Sequence, residues 1–200
     1  MKTSSKEKLT QEEILRIMAL QPETEVEKNA RNYFLFSFYT YGMRTADLFL
    51  LKWSNIKEDR LNYTMMKTET IVPEIRLSPA ALNILDDYRG KDDIYVFPPF
   101  YGVKEINFTN TFRVAKVSSA LVVINRTLKT IAHRAQIDKN ITMHVSRHSF
   151  ANISKDQGIS VEVLKEMLCH SDIKITYQYL SSFNNSKLQS AGDSVYGLFG

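Results

Sequence analysis

The sequence predicts a mainly α-helical α+β domain with one small antiparallel β-sheet. Three observations lead there. Apolar residues recur at helical spacing through most of the chain, residues 61–77 break instead into short β-prone runs, and the composition supports one packed core. The chain has 200 residues, 44% hydrophobic and 11% aromatic, with 24% charged and only 7 Gly and 5 Pro. That length suits a single domain, and the composition excludes a disordered or collagen-like chain. One cysteine, Cys169, excludes a disulfide framework and points to a reducing compartment. Apolar runs such as Tyr33-Phe34-Leu35-Phe36 fall far short of the ~20 residues a membrane span needs. The polar start has no signal-peptide core after it, so the expected location is the cytoplasm, without a membrane partner.

The elements follow in order. Thr10 with Glu13 three residues on is a capping box, and Ile14, Leu15, Ile17 and Met18 continue it as a helix. Residues 26–41 are aromatic nearly all round (Tyr33, Phe34, Phe36, Phe38, Tyr39), which predicts a helix buried in the core and broken by Gly42. Arg44 to Leu51 reads as a further helix. Residues 61–66 and 71–77 read as a β-hairpin with Lys67 near its turn. Ser78-Pro79 starts another helix, with Ser78 as N-cap and Pro79 at the first helical position. Asp92 to Phe100 reads as extended, ending at Pro98-Pro99. Residues 107–136 are expected to be helical in two pieces. A helix from about 144 to 157 stops at Gly158, Ser160 caps a short one, and the last begins near Ser171-Asp172. Residues 184–200 read as a Ser-, Asn- and Gly-rich tail.

Charge is unevenly placed. The total is +4, but residues 101–147 hold eight Lys and Arg against two acidic residues, a local +6 that predicts a polyanion-binding face. Arg113, Lys116, Arg126 and Lys129 are the candidates to contact the polyanion. A solvated helix face is the plain alternative.

Three separated segments hold chemistry-bearing side chains: Gly42-Met43-Arg44-Thr45-Ala46-Asp47, then His144-Val145-Ser146-Arg147-His148, then Cys169-His170-Ser171-Asp172 with Tyr179 nine residues after His170. In this order, with Lys67 between the first two, they resemble the catalytic domain of the tyrosine recombinases, the phage-type integrase family. Arg44 matches the first arginine box, His144 and Arg147 the His-x-x-Arg, and His170 with Tyr179 the last box. The resemblance runs from about residue 9 to 183, with residues 1–8 as a polar lead-in. Two departures stand out. Asp47 stands where many members have Glu, a shorter carboxylate still able to orient Arg44. Cys169 stands where Gly is usual, and if that position needs a left-handed backbone it costs roughly 1–2 kcal/mol.

The chemistry is consistent with that resemblance. Cleaving a phosphodiester builds negative charge on the non-bridging oxygens. Two guanidiniums, Arg44 and Arg147, can stabilise it without metal or cofactor, because their planar N–H forks fit phosphate. His144 lies one helical turn before Arg147, and His144 and His170 would bond the phosphate and move protons at neutral pH. A tyrosine can hold the cleaved end covalently, and a phenol of ordinary pKa ~10 needs nearby cations to attack. Tyr177 and Tyr179 point roughly 200° apart on a helix, so only one enters the site; the family pattern selects Tyr179. Lys67 would protonate the departing 5′ oxygen. His144 and His148 share the i, i+4 spacing of a zinc pair, but Arg147 between them would repel a cation.

The resemblance implies DNA strand cleavage and rejoining through a 3′-phosphotyrosine, without ATP. It also implies double-stranded DNA as partner, a homo-tetramer on two sites when active, and a nucleoid location. The tail, with Leu188, Val195, Leu198 and Phe199, would dock on a neighbouring protomer. Family members usually carry a separate N-terminal helical DNA-binding domain, expected to be absent here, with the isolated domain a monomer. Two other readings stay open: a non-cleaving DNA-binding module of the same fold, and a type IB topoisomerase-like activity.

Overall fold

The computed structural model describes residues 7–103, 109–170 and 172–179. The tail from 184 lies outside the described residues. Helices α1 (Gln11–Ala19), α2 (Glu25–Tyr39) and α3 (Thr45–Phe49) come first, followed by the strands β1 (Ile56–Lys57), β2 (Arg60–Leu61) and β3 (Ile75–Arg76). Five helices complete the order: α4 (Pro79–Asp86), α5 (Asn110–Arg134), α6 (Met143–Asp156), α7 (Val161–Leu168) and α8 (Ile173–Tyr179).

The predicted caps form. Thr10 Oγ1 accepts from Glu13 N–H while the Glu13 carboxylate accepts from Thr10 N–H. Ser78 and Ser160 cap α4 and α7 through their hydroxyls. These bonds satisfy N-terminal donors that a helix cannot pair internally.

The aromatic α2 is the axis of the core. Tyr33, Phe34, Leu35 and Phe36 are buried, and α2 packs on both α5 and α6. Tyr33 and Phe36 meet Phe97 edge-to-face at 5.2 and 5.4 Å, and Tyr88 meets it at 5.0 Å. Such T-shaped geometry sets ring edges against ring faces. Helix α6 is fastened across this core by Ser146 Oγ donating to Phe34 C=O at 2.8 Å. Its N-terminal Met143 N–H donates to Asn125 of α5 at 2.9 Å, which replaces a cap from Thr142.

The sheet has the order β1-β2-β3, antiparallel throughout, with Ile56 opposite Leu61 and Leu61 opposite Ile75. Beyond it, Thr64 pairs with Ile71 as an isolated bridge, and a turn over residues 66–68 carries Lys67 at the tip of an irregular hairpin. Strand β1 is an addition to the predicted two-stranded hairpin.

Three expectations are corrected. Residues 110–134 form one uninterrupted helix of 25 residues rather than two, because Ile124, Leu128 and Ile131 keep one face buried without a break. The predicted helix from Arg44 to Leu51 shortens to α3, followed by a 3-10 turn, Trp53–Asn55. Pro98-Pro99 opens a 3-10 turn, Pro98–Phe100, where an extended end was expected; proline's fixed φ suits the first position of a helical turn.

Candidate active site

The turn after α2 sets the site's floor. Tyr41 and Gly42 both have positive φ, +59° and +72°, reversing the chain so that Arg44 precedes α3 as its N-cap residue. Ser37 holds this turn twice: its C=O accepts from Gly42 N–H at 2.8 Å, and its hydroxyl donates to Met43 C=O at 2.9 Å. A Cβ on Gly42 would stand 2.7 Å from Arg147 Cγ and 2.9 Å from its Cα, so this approach requires glycine.

Arg147 is 5% exposed and lies behind the cleft. Its Nη1 donates to Gly42 C=O at 2.7 Å and its Nη2 donates to Leu168 C=O. One guanidinium thereby joins the turn bearing Arg44 to the turn bearing His170. Two of its donors go to backbone oxygens, a structural duty that the sequence reading did not assign to it.

The second turn ends α7. Cys169 is the C-cap residue at φ 49°, ψ 51°, the left-handed region, so the non-glycine cost raised by the sequence applies here. Burial pushes its thiol pKa up, against the pull of Arg147 and Arg44. His170 N–H closes back on Lys165 C=O at 3.0 Å. The His170 ring is 6% exposed, with Nδ1 2.9 Å from Thr176 Oγ1. Burial first, then Arg147 and Arg44, lowers its pKa to about 4. His170 is therefore neutral at neutral pH. A charged ring would be desolvated beside two cations.

Between these turns opens a cleft of about 420 Å³ whose lining includes Arg44, Lys67, Thr68, Thr70, Lys165, Cys169 and His170. Arg44 Nη1 is buried with no hydrogen-bond partner among the described residues. Asp47, 6% exposed, accepts Met66 N–H at 2.8 Å on Oδ1, while its Oδ2 has no partner among the described residues. Burial raises the Asp47 pKa, opposed by the Met66 N–H and by Arg44 and Arg147. The carboxylate thus tethers the Lys67 turn to α3. Neither a hydrogen bond nor an ion pair joins it to Arg44, so its influence on that guanidinium is through charge alone.

His144 is exposed on α6 outside the lining of this cleft, its ring set edge-on to His148 at 4.4 Å. Among the described residues no group of three His, Cys, Asp or Glu could hold a metal ion. Tyr179 is the last described residue of α8, three residues after Thr176, and its side chain lies outside the described part of the chain. Tyr177 is 47% exposed. Lys165, Thr68, Thr70 and Thr176 were missed. Thr176 had a signal: a hydroxyl residue three positions before Tyr179, on the same side of a helix.

The basic stretch divides. Arg134 pairs with Glu27 and Glu23 at 2.5 and 2.8 Å, and Lys139 pairs with Glu13 at 2.6 Å; with buried Arg147, these charges brace the fold. Arg126 and Lys129 are exposed on α5. Arg113 donates to Asn110 at 2.6 Å, and Lys116 Nζ stands 5.5 Å from the Phe112 ring centre. The +6 face is smaller than its formal charge.

A sequence profile of the phage integrase family matches residues 7–186. Tyrosine recombinase XerD of Rickettsia bellii is 24% identical over 165 residues, 74% of this chain and 50% of that protein. XerC of Xanthomonas campestris is 28% identical over 146 residues, 71% of this chain and 41% of that one. The chain spans about half the length of these curated relatives. Among solved structures, XerA recombinase superposes with a TM-score of 0.65 at 19% identity, covering 96% of this chain and 64% of that one. The catalytic domain of bacteriophage HP1 integrase superposes with a TM-score of 0.55 at 20% identity, covering 93% of each chain. XerH bound to its difH substrate gives a TM-score of 0.62 at 17% identity, covering 94% of this chain and 54% of that one. The mainly helical fold with its small sheet is that of tyrosine recombinase catalytic domains.

Proposed function

The chain belongs to the phage integrase family, and on that premise we propose that it performs site-specific DNA recombination, breaking and rejoining strands through a tyrosine. The observation that carries the proposal is the cleft itself. Arg44, with a buried guanidinium nitrogen awaiting an acceptor, shares it with Lys67 and His170. Buried donors are almost always satisfied, and a phosphate oxygen is the acceptor this one suits.

In this reading Tyr179 Oη attacks the scissile phosphorus, and the bond to the 5′ oxygen breaks. The phenol proton is released as the new bond forms, and Lys67, at a solvent-exposed hairpin tip, protonates the leaving oxygen. The phosphotyrosine keeps the energy of the broken bond, so a second 5′ hydroxyl can reverse the step without ATP. Arg44 and Arg147 are the proposed stabilisers of the charge on the non-bridging oxygens. His170 contributes as a neutral group, and His144, exposed on α6 one turn before Arg147, is the second proposed histidine. Asp47 supports the site by holding the Lys67 turn. Arg126 and Lys129 on α5, with Arg113 and Lys116, are the proposed contacts to duplex DNA. A homo-tetramer on two sites is the proposed active assembly, in the cytoplasm at the nucleoid.

The test is a set of nicked suicide duplexes built from inverted repeats flanking the gene. A covalent protein–DNA adduct is expected from the wild type and from Tyr177→Phe but not from Tyr179→Phe. Binding to these duplexes without any adduct would replace the enzyme with a non-cleaving DNA-binding module.

A further inference from the structure

The histidine lining the cleft is held from the helix that carries Tyr179. Thr176 is 0% exposed, and its hydroxyl lies 2.9 Å from His170 Nδ1. Among the described residues this is the only hydrogen-bond partner of that hydroxyl. A buried hydroxyl with one partner donates to it, since accepting alone would leave its own proton orphaned. His170 is neutral, its pKa lowered to about 4 by burial and by Arg147 and Arg44. A neutral imidazole that accepts at Nδ1 carries its proton on Nε2.

We propose that Thr176 is a positioning residue that fixes His170 as the Nε2–H tautomer, a hydrogen-bond donor to a phosphate oxygen, for as long as α8 is docked. The contact joins two otherwise separate conditions. Over its described residues, Ile173–Tyr179, helix α8 packs on α7 and α6. If α8 withdraws, taking Tyr179 with it, the same movement removes the hydroxyl from Nδ1 and frees the ring to exchange its proton between nitrogens. The phosphate site is then complete only when the nucleophile's helix is in place. A site that gained its last donor independently of α8 could polarise a phosphate with no nucleophile beside it.

The role in phosphate chemistry rests on the proposed strand cleavage; the tautomer does not, and the experiment separates them. Nitrogen-15 correlation spectra of the histidine rings in the full chain should show His170 as Nε2–H in the wild type. Thr176→Val, which keeps the volume and removes the hydroxyl, should give a tautomer mixture. Thr176→Ser should restore the Nε2–H form. On the suicide duplexes, the valine variant should form adduct about ten- to a hundredfold more slowly at unchanged DNA affinity, with serine close to wild type. Thr176→Ala serves if valine does not fold. A valine variant that keeps the pure Nε2–H tautomer, or a serine variant as slow as valine, overturns the proposal. Absence of adduct from the wild type would refute strand cleavage alone, leaving the spectra to decide the tautomer.

Discussion

Gly42 and Arg147 fit against each other with no space for a methyl group. The Gly42 carbonyl accepts from Arg147 Nη1 at 2.7 Å, and a Cβ on Gly42 would fall 2.7 Å from Arg147 Cγ. The same glycine sits at φ +72°. The arginine can reach Leu168 C=O on its other side only because this side is bare.

Gly42→Ala should therefore destabilise the fold by about 2–3 kcal/mol, combining left-handed strain with a steric clash against a packed side chain. Urea unfolding measures this. Adduct formation should fall by more than the lost stability explains, since Arg147 is displaced. An alanine variant of wild-type stability would contradict the close fit.

Cys169→Gly should act in the opposite direction. Relief of the left-handed strain at φ 49° outweighs the extra freedom glycine gains in the unfolded chain, for a net gain of about 0.5–1 kcal/mol. The readout is a higher urea midpoint at an unchanged slope.

Stability should depend on pH through His170. Its folded pKa of about 4 lies below the unfolded value near ~6.5. Between these values the unfolded chain binds the proton more readily, so stability falls as pH drops from ~6.5 to 4 and is unaffected above that window. Between pH 7 and 5 the wild type should lose about 2 kcal/mol more than His170→Gln does. Equal losses in the two chains would show that His170 is not held neutral by its surroundings.

Lys67→Ala should slow cleavage by about 10²–10⁴-fold, the usual worth of a general acid. A duplex with sulfur in place of the bridging 5′ oxygen has a leaving group that needs no proton. Adduct formation by the variant should recover on that substrate. Asp47→Ala should raise hydrogen exchange at the Met66 amide, which the carboxylate now protects, and should show a milder form of the same rescue.

Arg134→Ala and Lys139→Ala should leave the salt dependence of DNA binding unchanged while lowering stability by about 1–2 kcal/mol each. Both charges already face carboxylates. A reduced salt slope in either variant would return it to the DNA face.

Local signals made much of this architecture legible. The Thr10–Glu13 box, the Ser78-Pro79 start and the Gly42 break each concern a few adjacent residues, and each formed as read. The order of Arg44, Lys67, His144, Arg147, His170 and Tyr179 indicated the family before any geometry. Sequence could not show that Arg147 faces two backbone carbonyls, because those contacts join residues far apart in the chain. The neutral state of His170 also follows from burial and from cations brought in by other elements. Residues 107–136 misled for another reason: the exposed Val114, Val122 and Val123 blur the apolar stripe and suggest a break where the backbone has none.

The unbroken α5 also constrains how a duplex can lie on it. Arg113 and Lys116 each precede Arg126 and Lys129 by 13 positions. On one straight helix that is about 20 Å along the axis and roughly 220° around it. A break between the pairs could have turned both toward one surface; a rigid rod holds their directions about 140° apart. Lys116 and Arg126, about 80° apart around the axis, are the two that face one straight duplex most nearly together, while Arg113 and Lys129 reach it from its two flanks.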